Sequence, residues 1–170
     1  QKLWGTLEGH TRRIWSLKVF HDNKGLLTII SGSWDKTIKI WKEDEMHNFN
    51  VMTLEGHTDD IFSIQAFQGT EGLLTIVSGG RDATIKIWKE DKEHNFNVTT
   101  LEGHTGTIYS LQAFQDKEGL LTIISGNEDS TIKIWKEDKE HNFNVRTLEG
   151  HNKSNALSGV ISLWAFQDTE

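Results

Sequence analysis

The feature that most constrains the fold of this chain is an internal repeat with a fixed period of 47 residues. The segment TIKIWKED begins at positions 37, 84 and 131, and the segment LEGH begins at positions 7, 54, 101 and 148. The period holds without a gap until residues 151–166, where the copy of segment 104–114 is about five residues longer. A period of about 20 to 50 residues is typical of folds in which one supersecondary unit recurs and buries its apolar surface against its neighbours.

Each repeat contains four short segments with the composition of β-strands. In the first copy these segments are residues 14–20, 26–31, 37–41 and 50–56. The second is a continuous apolar run, as in a strand buried on both faces, and the third alternates polar and apolar residues. Turn-forming segments separate the four, and no stretch has the apolar period of a helix. Each repeat therefore predicts a four-stranded antiparallel sheet that needs a neighbouring sheet on either side.

Composition excludes several classes of function. The 170 residues include no cysteine and carry a net charge of −7. Disulfides, thiolate catalysis and cysteine-based zinc sites are therefore excluded, and the negative charge disfavours nucleic acid and anionic membranes as partners. No apolar run approaches the roughly 20 residues needed to cross a bilayer. We expect a cytoplasmic protein with no cofactor, no metal, no nucleic acid and no membrane among its partners.

The repeat resembles that of the WD40 family. Every copy has Gly-His near its start, Ser-Gly and Asp in its middle, and Trp at the end of its third strand. One departure is consistent, because the closing dipeptide is Trp-Lys at 41–42, 88–89 and 135–136, where the family usually has Trp-Asp. The resemblance implies an all-β fold, a β-propeller of four-stranded antiparallel blades that pack radially around a channel.

The resemblance also divides the chain. Strands a, b and c of a blade follow the Gly-His, and strand d comes last, at the rim. The segment 1–170 then consists of an orphan d strand, three complete blades and the a strand that starts a further blade, at residues 1–9, 10–56, 57–103, 104–150 and 151–170. Closed propellers have about four to eight blades, so this is an incomplete ring. We expect either further blades from the same parent chain or a second copy of this chain, in an oligomer, to close it.

Ser, His and Asp recur in each copy and invite comparison with a hydrolase triad. A catalytic centre is rarely built three times in one short chain, whereas a hydrogen-bonded clamp is needed once per blade. In the family, the matching residues connect to the Trp that ends strand c. The resemblance therefore implies no catalytic residue and three structural tetrads: His10, Ser31, Asp35, Trp41; His57, Ser78, Asp82, Trp88; and His104, Ser125, Asp129, Trp135. Three further histidines, His47, His94 and His141, fall in charged loops, and we expect them to be merely solvated.

The copies differ chiefly in the loop before strand a and in the turn between strands b and c. By resemblance, both segments lie at one end of the propeller, the usual partner face. The varied residues that we expect to bind a partner are Arg12, Arg13, Trp15, Trp34, Asp59, Asp60, Phe62, Arg81, Thr107, Tyr109 and Glu128. Aromatic residues and Arg are enriched at binding hot spots. Neutral drift of surface loops is the alternative, but it does not explain Trp34, which we expect to expose apolar area without packing.

These patterns predict a non-catalytic scaffold that binds a protein or peptide through the varied face. Charges of both signs on one rim favour a peptide or protein over a polyanion. Two alternatives stay open at this point: an accessory targeting domain of a larger enzyme, and a purely structural subunit of a large assembly.

Overall fold

A computed structural model describes residues 5–21, 24–69 and 71–149. Within these ranges the chain forms twelve β-strands and no helix, and so none that could span a membrane. The first copy forms β1 (Ile14–His21), β2 (Leu27–Ser33), β3 (Ile38–Glu43) and β4 (Phe49–Leu54). The second forms β5 (Ile61–Gln68), β6 (Leu74–Gly80), β7 (Ile85–Glu90) and β8 (Phe96–Leu101). The third forms β9 (Ile108–Gln115), β10 (Leu121–Asn127), β11 (Thr131–Glu137) and β12 (Phe143–Glu149).

Each copy is one four-stranded sheet in which neighbouring strands are consecutive in the chain and antiparallel. We call the three sheets blades 1, 2 and 3. The predicted all-β fold of WD40-type blades is thus confirmed, and within the described ranges the sheets do not close into a ring. Of the orphan d strand predicted at 1–9, the described residues 5–9 form no strand, because no blade lies beside them there to pair with them. The a strand predicted in 151–170 lies outside the described residues.

The observed strands differ from the predicted segments at their ends. Strand β2 continues through Ser33 because its pairing with β1 extends to that residue. Strand β4 ends at Leu54, not at residue 56, because Leu54 pairs with Ile38, the first residue of β3. Beyond that pair the ladder has no partner residue, so the chain is released into the loop that carries the next Gly-His.

The blades pack face to face, with strand a of one blade lying on strands a and b of the preceding blade. The Ser-Gly of the repeat supplies the space for this packing. A Cβ atom added at Gly79 would lie 2.7 Å from Ile108 Cγ2, closer than real atoms approach. The equivalent Gly32 is overlaid by Ile64 and Ile61 of blade 2. Glycine is therefore required at this position because the neighbouring blade fills the place of its side chain.

The apolar core lies between the blades. One buried cluster joins blades 1 and 2 and includes Ile30, Ile61 and Ile64, while a second joins blades 2 and 3 and includes Val77 and Leu111. Full burial of one such side chain contributes about 1.5–3 kcal/mol. The free face of blade 1 has no such cover within the described residues: its Ile14, Leu17 and Val19 are 47%, 56% and 52% exposed.

Candidate functional site

The first tetrad is a continuous chain of hydrogen bonds at one end of blade 1. His10 Nδ1 lies 2.8 Å from Asp35 Oδ2, and His10 Nε2 lies 2.7 Å from Ser31 Oγ. Trp41 Nε1 donates to the same Ser31 Oγ over 2.9 Å. A neutral imidazole with its proton on Nδ1 satisfies every group, because the serine hydroxyl can then donate to Nε2. The chain of bonds ties the loop before strand a to strands b and c.

The other two tetrads repeat this geometry. In blade 2 the His57–Asp82, His57–Ser78 and Trp88–Ser78 distances are 2.8, 2.8 and 3.0 Å. In blade 3 the corresponding distances are 3.0, 2.8 and 2.9 Å. All three serines are buried. Each hydroxyl is covered by an indole N–H, which leaves no position for a substrate carbonyl beside it.

Hydrogen bonds keep the tetrad aspartates ionised. Burial alone would raise the pKa of Asp35. Hydrogen bonds from Thr37, from the Thr11 amide and from His10 outweigh this effect and lower that pKa. The pKa of Asp82 is lowered in the same way, with His57 as the strongest opposing cause. A charged carboxylate is therefore available to hold each histidine and its loop at neutral pH.

The tetrad of blade 3 shifts the pKa of both of its titrating members. Burial again opposes ionisation of Asp129, but hydrogen bonds from Thr131 and His104 lower its pKa to about 2. Burial lowers the pKa of His104 below its usual value, although Asp129 acts in the opposite direction. The neutral histidine and the charged aspartate are thus the native forms.

A second hydrogen-bond network, not anticipated from the sequence, recurs at the opposite end of the blades. The Glu90 carboxylate is 1% exposed and accepts from the Leu74 amide over 2.8 Å. His94 Nδ1 lies 2.9 Å from it, and Lys42 Nζ of the preceding blade donates to it over 3.1 Å. Burial opposes ionisation, but these three partners lower the pKa of Glu90.

The same arrangement joins blades 2 and 3 through Glu137, whose partners are the Leu121 amide, His141 and Lys89 at 2.9, 2.8 and 2.7 Å. The histidines of these networks were expected to be merely solvated, and that expectation was incomplete. Their rings are exposed, but His94 and His141 have φ of 63° and close their loops by contacting the glutamates. The sequence did contain a pattern that could have predicted this contact, because every copy has a Glu and a His four residues apart.

Four aromatic side chains form a continuous row across the three blades, at the end where the tetrads lie. Trp15 stacks on Trp34 with ring centroids 5.4 Å apart and planes inclined by 17°. Phe62 packs edge-on against Trp15 and Trp34 at 5.6 and 5.9 Å, and Tyr109 packs against Phe62 at 5.4 Å. We call these four residues the aromatic row. Trp15 is 54% exposed and the other three are half-buried, so the row keeps part of its apolar surface in contact with solvent.

The structure corrects the expectation that Trp34 is exposed without packing. Its ring is half-buried between Trp15 and Phe62, and its amide donates to the Arg13 carbonyl over 2.9 Å. Trp34 Nε1 is buried and has no hydrogen-bond partner among the described residues. Packing of a turn residue against strand residues that are distant in the sequence could not be inferred from the turn alone.

Charged side chains surround the aromatic row. The Arg13 guanidinium carbon lies 5.1 Å from the centre of the Trp34 ring, and Arg12 is exposed beside it. On blade 2, Arg81 is 59% exposed and its Nη1 lies 3.5 Å from Asp60 Oδ2. On blade 3, the exposed Glu128 accepts from the Thr107 amide over 3.3 Å.

Two of the predicted partner-binding residues lie beneath this surface. Asp60 and Thr107 are each only 6% exposed. Their carbonyls accept from the amides of Arg81 and Glu128 over 2.8 and 3.0 Å, so they hold the varied turns in place. Asp59 is half-buried and its Oδ1 accepts from the Asp60 amide over 2.9 Å.

The remaining predicted residues stand together at one end of the blades. We call this surface the recognition face; its members are Arg12, Arg13, Trp15, Trp34, Asp59, Phe62, Arg81, Tyr109 and Glu128. In the part of the chain that the structure describes, no group of three or more His, Asp or Glu side chains is placed to hold a metal ion.

Comparison with protein families agrees with this architecture. The family described as WD domain, G-beta repeat matches residues 1–42, 48–89 and 95–136, which together make up well over half of the chain. The second and third matches each contain strand d of one blade and strands a to c of the next. A comparison with curated proteins found no significant match. WD40 repeats generally serve as non-catalytic protein-interaction scaffolds. By its repeats and its blades, the chain belongs to the WD40 family.

Proposed function

We propose that this chain is a non-catalytic scaffold that binds a protein or peptide through the recognition face. The observation that carries the proposal is the aromatic row, which runs without interruption over three blades and is bordered by exposed charged side chains. Exposed, contiguous apolar surface rimmed by charged groups is typical of protein-binding sites. The tetrads support the proposal because they fix the loops that lead directly into Trp15, Phe62 and Tyr109.

Preorganisation strengthens this surface. Trp15 lies at the start of β1 and Trp34 in the turn after β2, and stacking holds both rings in one orientation before any partner arrives. An aromatic side chain has only two rotatable bonds, so its immobilisation costs little entropy. The backbone bonds from Trp34, Arg81 and Glu128 to the loops before strand a fix the turns as well. A partner would therefore meet a surface that needs little rearrangement.

A triple substitution tests the proposal. We expect Arg13→Ala, Trp15→Ala and Arg81→Ala together to abolish the specific partners recovered in an affinity purification and identified by mass spectrometry. The matched control is Met46→Ala, Lys92→Ala and Lys139→Ala, which removes one exposed apolar and two exposed cationic side chains from the opposite loops. Equal recovery of every partner by both variants would sink the proposal and favour a purely structural subunit. An accessory targeting domain of an enzyme would use the same face and differ only in what is attached to it.

We further propose that the free face of blade 1 receives another WD40 blade, from the same parent chain or from a second copy. Ile14 and Leu17 of this face occupy the positions that Ile61 and Ile64 occupy in blade 2, where they are buried against blade 1. A blade with a glycine at the position of Gly32 would accept them in the same way. Light scattering of the 170-residue chain tests where the covering blade comes from. A doubled mass supports a blade from a second copy, and a single mass supports a blade from the same parent chain.

A further inference from the structure

Resting on the function proposed above, we propose that the recognition face binds an acidic segment of a partner protein that also carries an aromatic or large aliphatic side chain. The carboxylates of this segment lie over blade 1, beside Arg12 and Arg13, and the apolar side chain lies against Trp15. We infer an acidic partner because the arginines of the face lack ion pairs, whereas its carboxylates already accept hydrogen bonds within the fold.

The two arginines of blade 1 on the recognition face are not engaged by acidic side chains of the described residues. Neither Arg12 nor Arg13 forms an ion pair within the described part of the chain, although both are exposed. The Arg13 guanidinium lies over the Trp34 ring. A guanidinium over a ring face can still donate from the N–H groups on its edge, and two of these can bind one carboxylate.

The acidic groups of the face, in contrast, are already used by the fold. The Asp60 side chain is 9% exposed and faces Arg81. Asp59 accepts from the backbone amide of Asp60, and Glu128 accepts from that of Thr107. These carboxylates fix loops, so they are less available to a basic partner than the arginines of blade 1 are to an acidic one.

The net negative charge of the protein restricts an acidic partner to the arginines of the recognition face. The chain carries a net charge of −7, so an acidic partner is repelled from most of its surface. The cluster of Arg12 and Arg13 beside an exposed tryptophan is a local exception, and it would orient an acidic segment as it approaches. Asp59 and Glu128, near Phe62 and Tyr109, lie where a longer polyanion would have to continue, which disfavours nucleic acid.

Selection from a random peptide library displayed on phage tests the inference and does not require an identified partner. The 170-residue chain is the target, and the Trp15→Ala variant is used for counter-selection. We expect the enriched peptides to be acidic and to share an aromatic or large aliphatic residue. Enrichment of basic peptides would overturn this inference and leave the proposed function standing. Failure to enrich any peptide on the wild type over Trp15→Ala would contradict both.

Charge reversal then sharpens the result with the enriched peptide as a fluorescent probe. We expect Arg12→Glu combined with Arg13→Glu to weaken its binding about thirtyfold, the scale of a hot-spot residue. Replacing the acidic residues of the peptide by lysine should restore binding to that variant. The matched control, Lys92→Glu with Lys139→Glu, makes the same change in net charge at the opposite loops, and we expect it to change binding less than twofold.

Two readouts complete the test. An unchanged melting temperature shows that the charge-reversed variant is folded, because neither arginine belongs to a tetrad or to an apolar cluster.

An oligothymidylate serves as the nucleic-acid probe. Tighter binding of that probe than of the enriched peptide, lost on charge reversal, would replace an acidic protein segment with a single-stranded nucleic acid as the partner.

Discussion

Strands β1 and β9 have nearly the same apolar pattern, yet their side chains lie in opposite environments. Leu17 of β1 is 56% exposed, whereas the equivalent Leu111 of β9 is 0% exposed. Ile14 and Ile108 differ in the same way, at 47% and 0%. The difference comes entirely from the neighbour, since blade 2 covers β9 and no described blade covers β1. Burial in a repeat protein is therefore a property of the interface and not of the repeat.

The largest expected effect compares one substitution on these two strands. We expect Leu111→Ala to lower the free energy of unfolding by about 2–5 kcal/mol, because it leaves a cavity between blades 2 and 3. Where no further blade covers β1, the same change at Leu17 should cost less than about 0.5 kcal/mol, because the side chain is exposed. Urea denaturation of both variants measures the difference. Equal losses would break the comparison and indicate that the face of β1 is covered in solution.

A substitution inside the tetrads should not depend on the neighbour. Ser78→Ala removes the acceptor of the Trp88 indole N–H and the partner of His57, both of which are buried. We expect a loss of about 1–3 kcal/mol, the cost of leaving buried polar groups unsatisfied. Ser31→Ala in blade 1 should cost about the same, because its tetrad lies within one blade. A much smaller loss for Ser31→Ala in urea denaturation would show that the tetrads also depend on an adjacent blade.

Acidification should weaken blade 3 through its tetrad. The folded-state pKa of Asp129 is lowered to about 2, so its contribution to stability is complete above the unfolded pKa near 4 and is lost as the pH falls towards 2. The pKa of His104 is lowered too, so the folded state disfavours its protonated form and stability declines as the pH falls below about 6.5.

Both effects have the same sign, and thermal melting between about pH 7 and pH 3 measures them. We expect Asp129→Asn to flatten the acidic part of this dependence, since it removes the carboxylate. A melting temperature that rises between pH 7 and pH 5 would contradict the assignment of His104 as a neutral native group.

The smallest effect is expected at the ion pairs between blades. Lys89 joins blade 2 to the buried Glu137 of blade 3, whereas the equivalent Lys136 of blade 3 is exposed and has no partner among the described residues. We expect Lys89→Ala to cost only about 0.5–1 kcal/mol, because Glu137 keeps its bonds to Leu121 and His141. Lys136→Ala should cost almost nothing, because it breaks no ion pair among the described residues. Chemical denaturation at low salt compares the two. A larger loss at Lys136 would point to an acidic partner on the far side of blade 3.

The fold could be predicted from the sequence because its information is local and is repeated. Segments such as LLTII and TIKIW specify strands by composition and period, and the three copies place the turn between strands b and c at the same position. The sequence also assigns His57, Ser78 and Asp82 to one set by their constant spacing, and the structure places hydrogen bonds between them. Which residues bind a partner stays a prediction.

The parts that the sequence did not reveal depend on contacts between elements. Glu90 stands in a charged run that is typical of solvated surface, yet a lysine of the preceding blade and a nearby amide hold it in the interior. The turn around Trp34 predicts an exposed side chain, yet Trp15 of β1 covers it. Asp60 is typical of surface charge, yet the turn of its own blade buries it. No local pattern contains these pairings.

At each interface between blades, a hollow at the strand b glycine, such as Gly32, receives a ridge of two side chains from strand a of the next blade, such as Ile61 and Ile64. This fit has a consequence for how such a molecule can grow. Every copy encodes both surfaces, the hollow on strand b and the ridge on strand a, so a newly duplicated unit already matches its parent. Tandem duplication can thus lengthen the array without any compensating change, while an excised single unit would have no interior at all.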